Sequence, residues 1–150
     1  MRIVLQRVSE ANVKVNSEIV GEIGQGLLIL LGIEEADTEE DMLWLINKII
    51  NLRVFDDADG IMNLSIQEIK GQVLLVSQFT LHASTKKGNR PSYIKAAKTD
   101  LAKQHYQRFY QLMLSHFSGR VARGIFGADM KVCLVNDGPV TIIMDSKQKE

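Results

Sequence analysis

Apolar and polar positions alternate through residues 2–15: Val13 and Val15 fall on one face, Asn12 and Lys14 on the other. A period of two predicts a strand. Asn16-Ser17 is a turn candidate leading into a second strand over 19–23, and Gly24-Gln25-Gly26 breaks the pattern again. Residues 27–33 are apolar without alternation, which predicts a short central strand buried on both faces. The period then changes. Asp37 or Thr38 can cap a helix, with Glu40 or Asp41 at the matching third position. Met42, Leu45, Ile46, Ile49 and Ile50 mark one face of a helix running to about Asn51. Residues 56–60 (DDADG) predict a turn, 73–81 a strand, and 101–117 a second long helix ended by Gly119. Strands over 121–126, 131–135 and 140–144 close the chain.

Strands outnumber helices, and the helices stand between groups of strands. The expected class is α+β: a largely antiparallel, barrel-like β-sheet packed with two main α-helices, in a single domain over residues 1–150. A chain that is 45% hydrophobic can bury one substantial core.

Composition removes several function classes. Lys plus Arg and Asp plus Glu both number 18, so the global field does not point to nucleic acid. Locally the charge is uneven. Residues 34–41 (EEADTEED) hold six acids, whereas 86–98 (KKGNRPSYIKAAK) hold five basic residues and no acid. The single cysteine, Cys133, excludes an intramolecular disulfide and a Cys-based metal site, and its apolar setting predicts a buried small hydrophobe. DDADG resembles the start of a calcium loop but lacks the later ligands, so no metal is expected. The alternating N-terminal stretch does not read as a signal peptide, and no apolar run is long enough to span a bilayer. The expectation is a cytoplasmic domain without a membrane partner.

Three stretches can carry chemistry. In VLLVSQFTLHAS (73–84), alternation puts Gln78 and Thr80 on one face, with Ser77 and Phe79 on the other. Such a polar pair can hydrogen-bond a substrate, and a threonine hydroxyl can attack a carbonyl if a base activates it. His82 would share the face of Thr80, but no Asp stands out to orient it, and His105 and His116 lie on the long helix. A Ser-His-Asp hydrolase is therefore not supported. Lys86, Lys87 and Arg90 surround Gly88-Asn89 in a cationic loop suited to phosphates, or simply to solvent. Gly138-Pro139 interrupts two apolar runs near the end of the chain. It reads as a trans turn, as a cis peptide, or as a pair whose carbonyls are bared for recognition; alone, it favours the turn.

Ser77-Gln78-Phe79-Thr80-Leu81, followed about 60 residues on by Asn136-Asp137-Gly138-Pro139-Val140-Thr141, resembles the D-aminoacyl-tRNA deacylase family. Matches continue at Met1-Arg2, Gln6-Arg7-Val8, Ala11, Val13, Gly32 and Lys87-Gly88-Asn89-Arg90-Pro91-Ser92. The resemblance implies an ester hydrolase that frees tRNA from a D-amino acid, or from glycine, on its 3′-terminal adenosine, using no cofactor and no DNA. It implies a homodimer with sites at the interface, in which a cis Gly138-Pro139 enters the partner's site and rejects L-amino acids with main-chain atoms. Ser77, Gln78, Phe79 and Thr80 then form the catalytic stretch. Thr80 is either the nucleophile or a bystander to a ribose hydroxyl that assists water. Arg7 braces the Gly-Pro loop or reaches the adenosine, and Lys86, Lys87 and Arg90 contact tRNA phosphates.

Overall fold

The computed structural model describes residues 1–149. Strand β1 (Arg2–Val15) turns through Asn16 and Ser17, both at positive φ (50° and 68°), into β2 (Glu18–Ile23). Two left-handed residues in a row give a hairpin turn whose twist matches its strands. Strand β3 (Gly26–Gly32) pairs with the first half of β1, and β2 with the second half. Helix α1 (Glu39–Asn51) starts at Thr38, whose backbone N–H donates to the Asp41 carboxylate at 2.8 Å, and buries the predicted face. Strands β4 (Phe55–Asp56) and β5 (Met62–Leu64) form a small separate hairpin around the predicted DDADG turn. Strand β6 (Gln72–Ser77), helix α2 (Thr99–His116), strand β7 (Val121–Arg123) and the long β8 (Lys131–Asp145) follow.

The main sheet runs β2-β1-β3-β6-β7, with β8 on the other edge of β1. The three ladders of β1 are antiparallel. Those of β3 with β6 and β6 with β7 are parallel, because α1 and α2 lie in the crossovers that return the chain to the same end. Strand β2 curls towards β7 until a Cβ added at Gly21 would lie 2.7 Å from the Arg123 carbonyl oxygen, so the barrel-like sheet nearly closes. The expected α+β architecture is thus present.

One face of the sheet packs against the helices through Leu27, Ile29, Leu31, Val73 and Leu75; the other faces the barrel interior through Leu28, Leu74 and Val76. With both faces dry, β3 has no position for a polar residue, which accounts for its unbroken apolar run.

Several local expectations fail, among them the separate strands expected over 131–135 and 140–144, which are one strand, β8. The strand beginning at 73 stops at Ser77, and Phe79–His82 forms a turn of 3-10 helix, so the predicted alternation of Gln78, Thr80 and His82 does not apply. Gly119 does not cap α2, whose C-cap is the extended Phe117. The strand expected over 121–126 spans only Val121–Arg123. Cys133 lies on the outward face of β8 and is exposed, because alternation assigns Val132 and Leu134 to the interior.

Candidate active site

Gly138-Pro139 does not reverse the chain. Strand β8 runs through it, pairing with β1 on both sides, from Lys131 opposite Lys14 to Asp145 opposite Arg2. Between the pairs Val8–Asn136 and Gln6–Thr141, β1 advances two residues and β8 five. The excess chain is extruded as a loop whose Asp137, Gly138 and Pro139 are exposed. The Gly138-Pro139 peptide is cis.

Two side chains hold this loop. Arg7, only 7% exposed, lies on β1 at the gap in the β8 ladder. Its Nε donates to the Asp137 carbonyl at 2.7 Å, and its Nη1 to the Val54 carbonyl at 2.6 Å and to Asp56 Oδ1 at 3.2 Å. Arg7 therefore ties the loop to β1 and to the Val54–Asp56 segment within its own chain. Asn136 spans the loop's base: Val140 N–H donates to Asn136 Oδ1 at 2.8 Å, while Asn136 Nδ2 donates to the Val140 carbonyl at 3.2 Å and Thr141 Oγ1 at 3.0 Å. Sequence reasoning missed this role; an Asn four residues before its partner across a Gly-Pro pair was the available signal.

The second part of the site starts where β6 ends. Gln78 N–H donates to the Leu31 carbonyl at 2.7 Å, and the 3-10 turn then folds over the end of β3. Gly32 permits the approach: a Cβ there would lie 3.0 Å from Leu81 Cβ and His82 Cδ2, and 3.1 Å from the Gln78 carbonyl oxygen. Arg2 ties down the far end, donating from Nη1 to the Leu81 carbonyl at 2.8 Å and pairing with Asp145. Among the described residues, the N–H groups of Phe79 and Thr80 meet no acceptor, as expected at the open start of a helical turn. The Thr80 hydroxyl accepts a hydrogen bond from Gln78 Nε2. His82 is buried beneath the turn and reaches no hydrogen-bond partner among the described residues through Nε2, so it is no base for Thr80.

Ser77, Gln78 and Phe79 line a cavity of about 640 Å³. Phe79, 56% exposed, packs edge-on against Tyr93 at 5.0 Å between ring centroids. The far wall comes from Lys98, Thr99 and Ala102 at the start of α2 and from Phe126 after β7. Beneath it, the Tyr106 ring lies 5.6 Å from that of Phe126, and the Tyr106 hydroxyl donates to the Leu75 carbonyl at 3.0 Å. Burial pushes the Tyr106 phenol above its ordinary range, so it remains a fixed donor. Lys98, Tyr93 and Phe126 were not foreseen. Tyr93 and Lys98 come from the basic 86–98 stretch and Phe126 from beyond β7, and no local pattern marks the two segments as neighbours.

The cavity is not lined by Arg7, Gly138 or Pro139. The two predicted motifs thus form separate features of the chain: an exposed main-chain loop and an open cavity. Lys86, Lys87 and Arg90 are exposed in the loop bridged by Ser84 and Ser92, and do not line the cavity either. No cluster of metal-ligating side chains occurs among the described residues. Likewise no described helix is long and apolar enough to cross a membrane.

Comparison with known proteins agrees with the motifs. A protein of Akkermansia muciniphila named D-aminoacyl-tRNA deacylase is 59% identical over 150 residues, covering all of both chains. One of the same name from Flavobacterium psychrophilum is 58% identical, again over the full length of both. Among solved structures, one titled c-Myc DNA Unwinding Element Binding Protein superposes with a TM-score of 0.92 at 39% identity, covering 97% of this chain and 98% of its own. A probable eukaryotic D-amino acid tRNA deacylase shares the fold with a TM-score of 0.80 at 17% identity, covering 95% and 97%. The family model described as D-Tyr-tRNA(Tyr) deacylase matches residues 4–145, and the chain belongs to that family.

Proposed function

We propose that this protein hydrolyses the ester between a D-amino acid and the 3′-terminal adenosine of a tRNA, and likewise removes glycine, as chirality proofreading in the cytoplasm. The observation that carries this reading is the division of the site. Each protomer bares a rigidly held Gly138-Pro139 loop that its own cavity does not use. In a homodimer each loop enters the partner's cavity, and an isologous interface completes both sites at once.

A proofreader for many amino acids must sense configuration without sorting side chains. Main-chain carbonyls at Gly138 and Pro139 can bind the substrate ammonium and fill the volume that an L side chain would need. Arg7 and Asn136 hold those carbonyls in place. The terminal adenosine occupies the Phe126 side of the cavity, and Gln78 positions the ester.

In the hydrolytic step, water oxygen adds to the ester carbonyl carbon, and the developing oxyanion takes hydrogen bonds from the free N–H groups of Phe79 and Thr80. The acyl carbon–oxygen bond to ribose then breaks, the ribose oxygen takes a proton, and a free amino acid leaves. The neighbouring ribose hydroxyl assists the water. Thr80 is not the nucleophile in this scheme: its oxygen already accepts from Gln78, and the buried His82 offers it no base. The test is incubation with D-Tyr-tRNA and L-Tyr-tRNA. Faster loss of the D ester is expected, and equal rates would overturn the proposal.

A further inference from the structure

The balanced net charge conceals a strong segregation. Residues 69–128 contain ten lysines and arginines but one acid, Asp100; the other 90 residues contain eight basic residues against seventeen acids. The basic segment includes the 3-10 turn, the loop after it, α2 and β7, which surround the cavity.

Beside the cavity lies a second concavity, of about 740 Å³, between α2 and β7 with the segment that follows it. The two share Phe126. They also follow one another along α2: Thr99 and Ala102 line the first, and Lys103, Gln104, Gln107 and Gln111 the second. These four side chains are exposed, and 103 to 111 spans roughly 12 Å of helix at about 1.5 Å per residue. Across from them, Arg123 stacks on the Tyr110 ring, 4.0 Å from its centroid, and donates to Gln107 Oε1 at 2.7 Å. No carboxylate among the described residues forms an ion pair with Lys103 or Arg123, whereas Arg108 is taken up by Glu39. The cleft thus combines two cations without a carboxylate partner among the described residues, three carboxamides and no acid among its lining residues.

That combination suits one occupant. Cations bind phosphates, and carboxamides both donate to and accept from ribose 2′-hydroxyls, which the shallow minor groove of A-form RNA displays. We infer that the α2–β7 cleft binds the double-stranded acceptor stem of the tRNA, on the minor-groove side, next to the terminal adenosine. This rests on the proposed function for the identity of the RNA, but its location follows from the cleft itself.

The test measures binding of an uncharged RNA minihelix, an acceptor stem ending in a single-stranded 3′ tail, across a salt titration. Removing two phosphate contacts with Lys103→Gln/Arg123→Gln should reduce the slope of log affinity against log salt by about 1.8. The same contacts correspond to an affinity loss of about tenfold between dilute and physiological salt. Because Arg123 also packs on Tyr110, Gln104→Glu/Gln107→Glu/Gln111→Glu provides an exposed alternative that repels phosphate and keeps a partner for Arg123. It too should weaken minihelix binding about tenfold. With D-Tyr-tRNA, both variants should raise KM and leave kcat unchanged, while turnover of D-tyrosyl-adenosine, which has no stem, stays at the wild-type value. Unchanged minihelix affinity in both variants would overturn the assignment, as would equal binding of a DNA hairpin of the same sequence. If wild-type protein bound the minihelix in this cleft but cleaved neither ester, the proposed function would fail and the cleft assignment would stand.

Discussion

Gly138→Ala tests whether the main-chain position of the extruded loop drives discrimination. Gly138 has φ of 140°, a conformation that L side chains rarely adopt. Holding a non-glycine residue in such a region costs about 1–3 kcal/mol. The added methyl would also lie 2.9 Å from Val140 Cγ2, 3.0 Å from Arg7 Nη2 and 3.1 Å from the Val140 nitrogen. Arg7 is held by two carbonyls and Asp56, so it cannot simply swing away. Overpacking adds about 1–3 kcal/mol, for a combined penalty of about 2–6 kcal/mol. The loop is exposed and contributes no core side chain, so the cheaper response is to shift the loop and keep the fold. At about 1.4 kcal/mol per factor of ten, the native loop position loses at least ~30-fold in population. The expected result is a fall of about 30-fold or more in kcat/KM for D-Tyr-tRNA, with a smaller D over L preference and a Tm within a few degrees of wild type. Asp137→Ala is the companion variant. It removes an exposed side chain but leaves the carbonyl that Arg7 binds, so it should lose less than about threefold. Wild-type turnover and chirality preference in Gly138→Ala would refute the reasoning.

Arg7→Ala leaves the Asp137 and Val54 carbonyls without their charged donor and should destabilise by about 2–5 kcal/mol in urea unfolding, with Arg7→Lys intermediate. Thr80→Ala removes an acceptor that Gln78 uses and should retain at least a tenth of wild-type kcat, because it loses one neutral hydrogen bond of about 1 kcal/mol and no nucleophile. Burial alone would raise the Asp41 carboxyl, but hydrogen bonds from Lys147, Thr38 and Ser146 hold it well below its ordinary 3.8. A depressed folded-state value means the contribution is complete above 3.8 and is lost as pH falls further, so Asp41→Asn should be less stable at pH 7 and lose less on acidification, read by urea midpoints from pH 6 to 2. Deleting Asp137 alone should abolish folding, whereas deleting Asp137 and Gly138 together should leave a folded but inactive protein, distinguishable by circular dichroism and heat capacity of unfolding.

The deletion pair follows from what the sequence pattern revealed about β8 and what it concealed. Helix α1 was legible because one stripe packs against one surface, and β3 because two dry faces leave a uniform apolar run. The 78–82 segment was misread because the approach of the turn over Gly32, not local alternation, sets its conformation. The cavity was legible only on its Ser77–Phe79 side, since the parallel pairing of β6 with β7, which brings the start of α2 and Phe126 beside that stretch, leaves no local pattern in the sequence. Taken without the resemblance, the Gly138-Pro139 stretch looks like a turn for a subtler reason. Even-numbered residues of β8 point inward on both sides of it: Val132 and Leu134 before, Ile142 and Met144 after. Unbroken parity looks like two strands joined by a turn. Yet the first pair packs in the barrel interior and the second against the helices, on opposite faces of the sheet. A strand can keep its parity and change faces only if an odd number of residues is inserted. The five-for-two step against β1 supplies three. One excess residue would satisfy that requirement. The other two carry the chain far enough from β1 to expose a Gly-Pro pair, which the fold does not require and which the proposed partner site does.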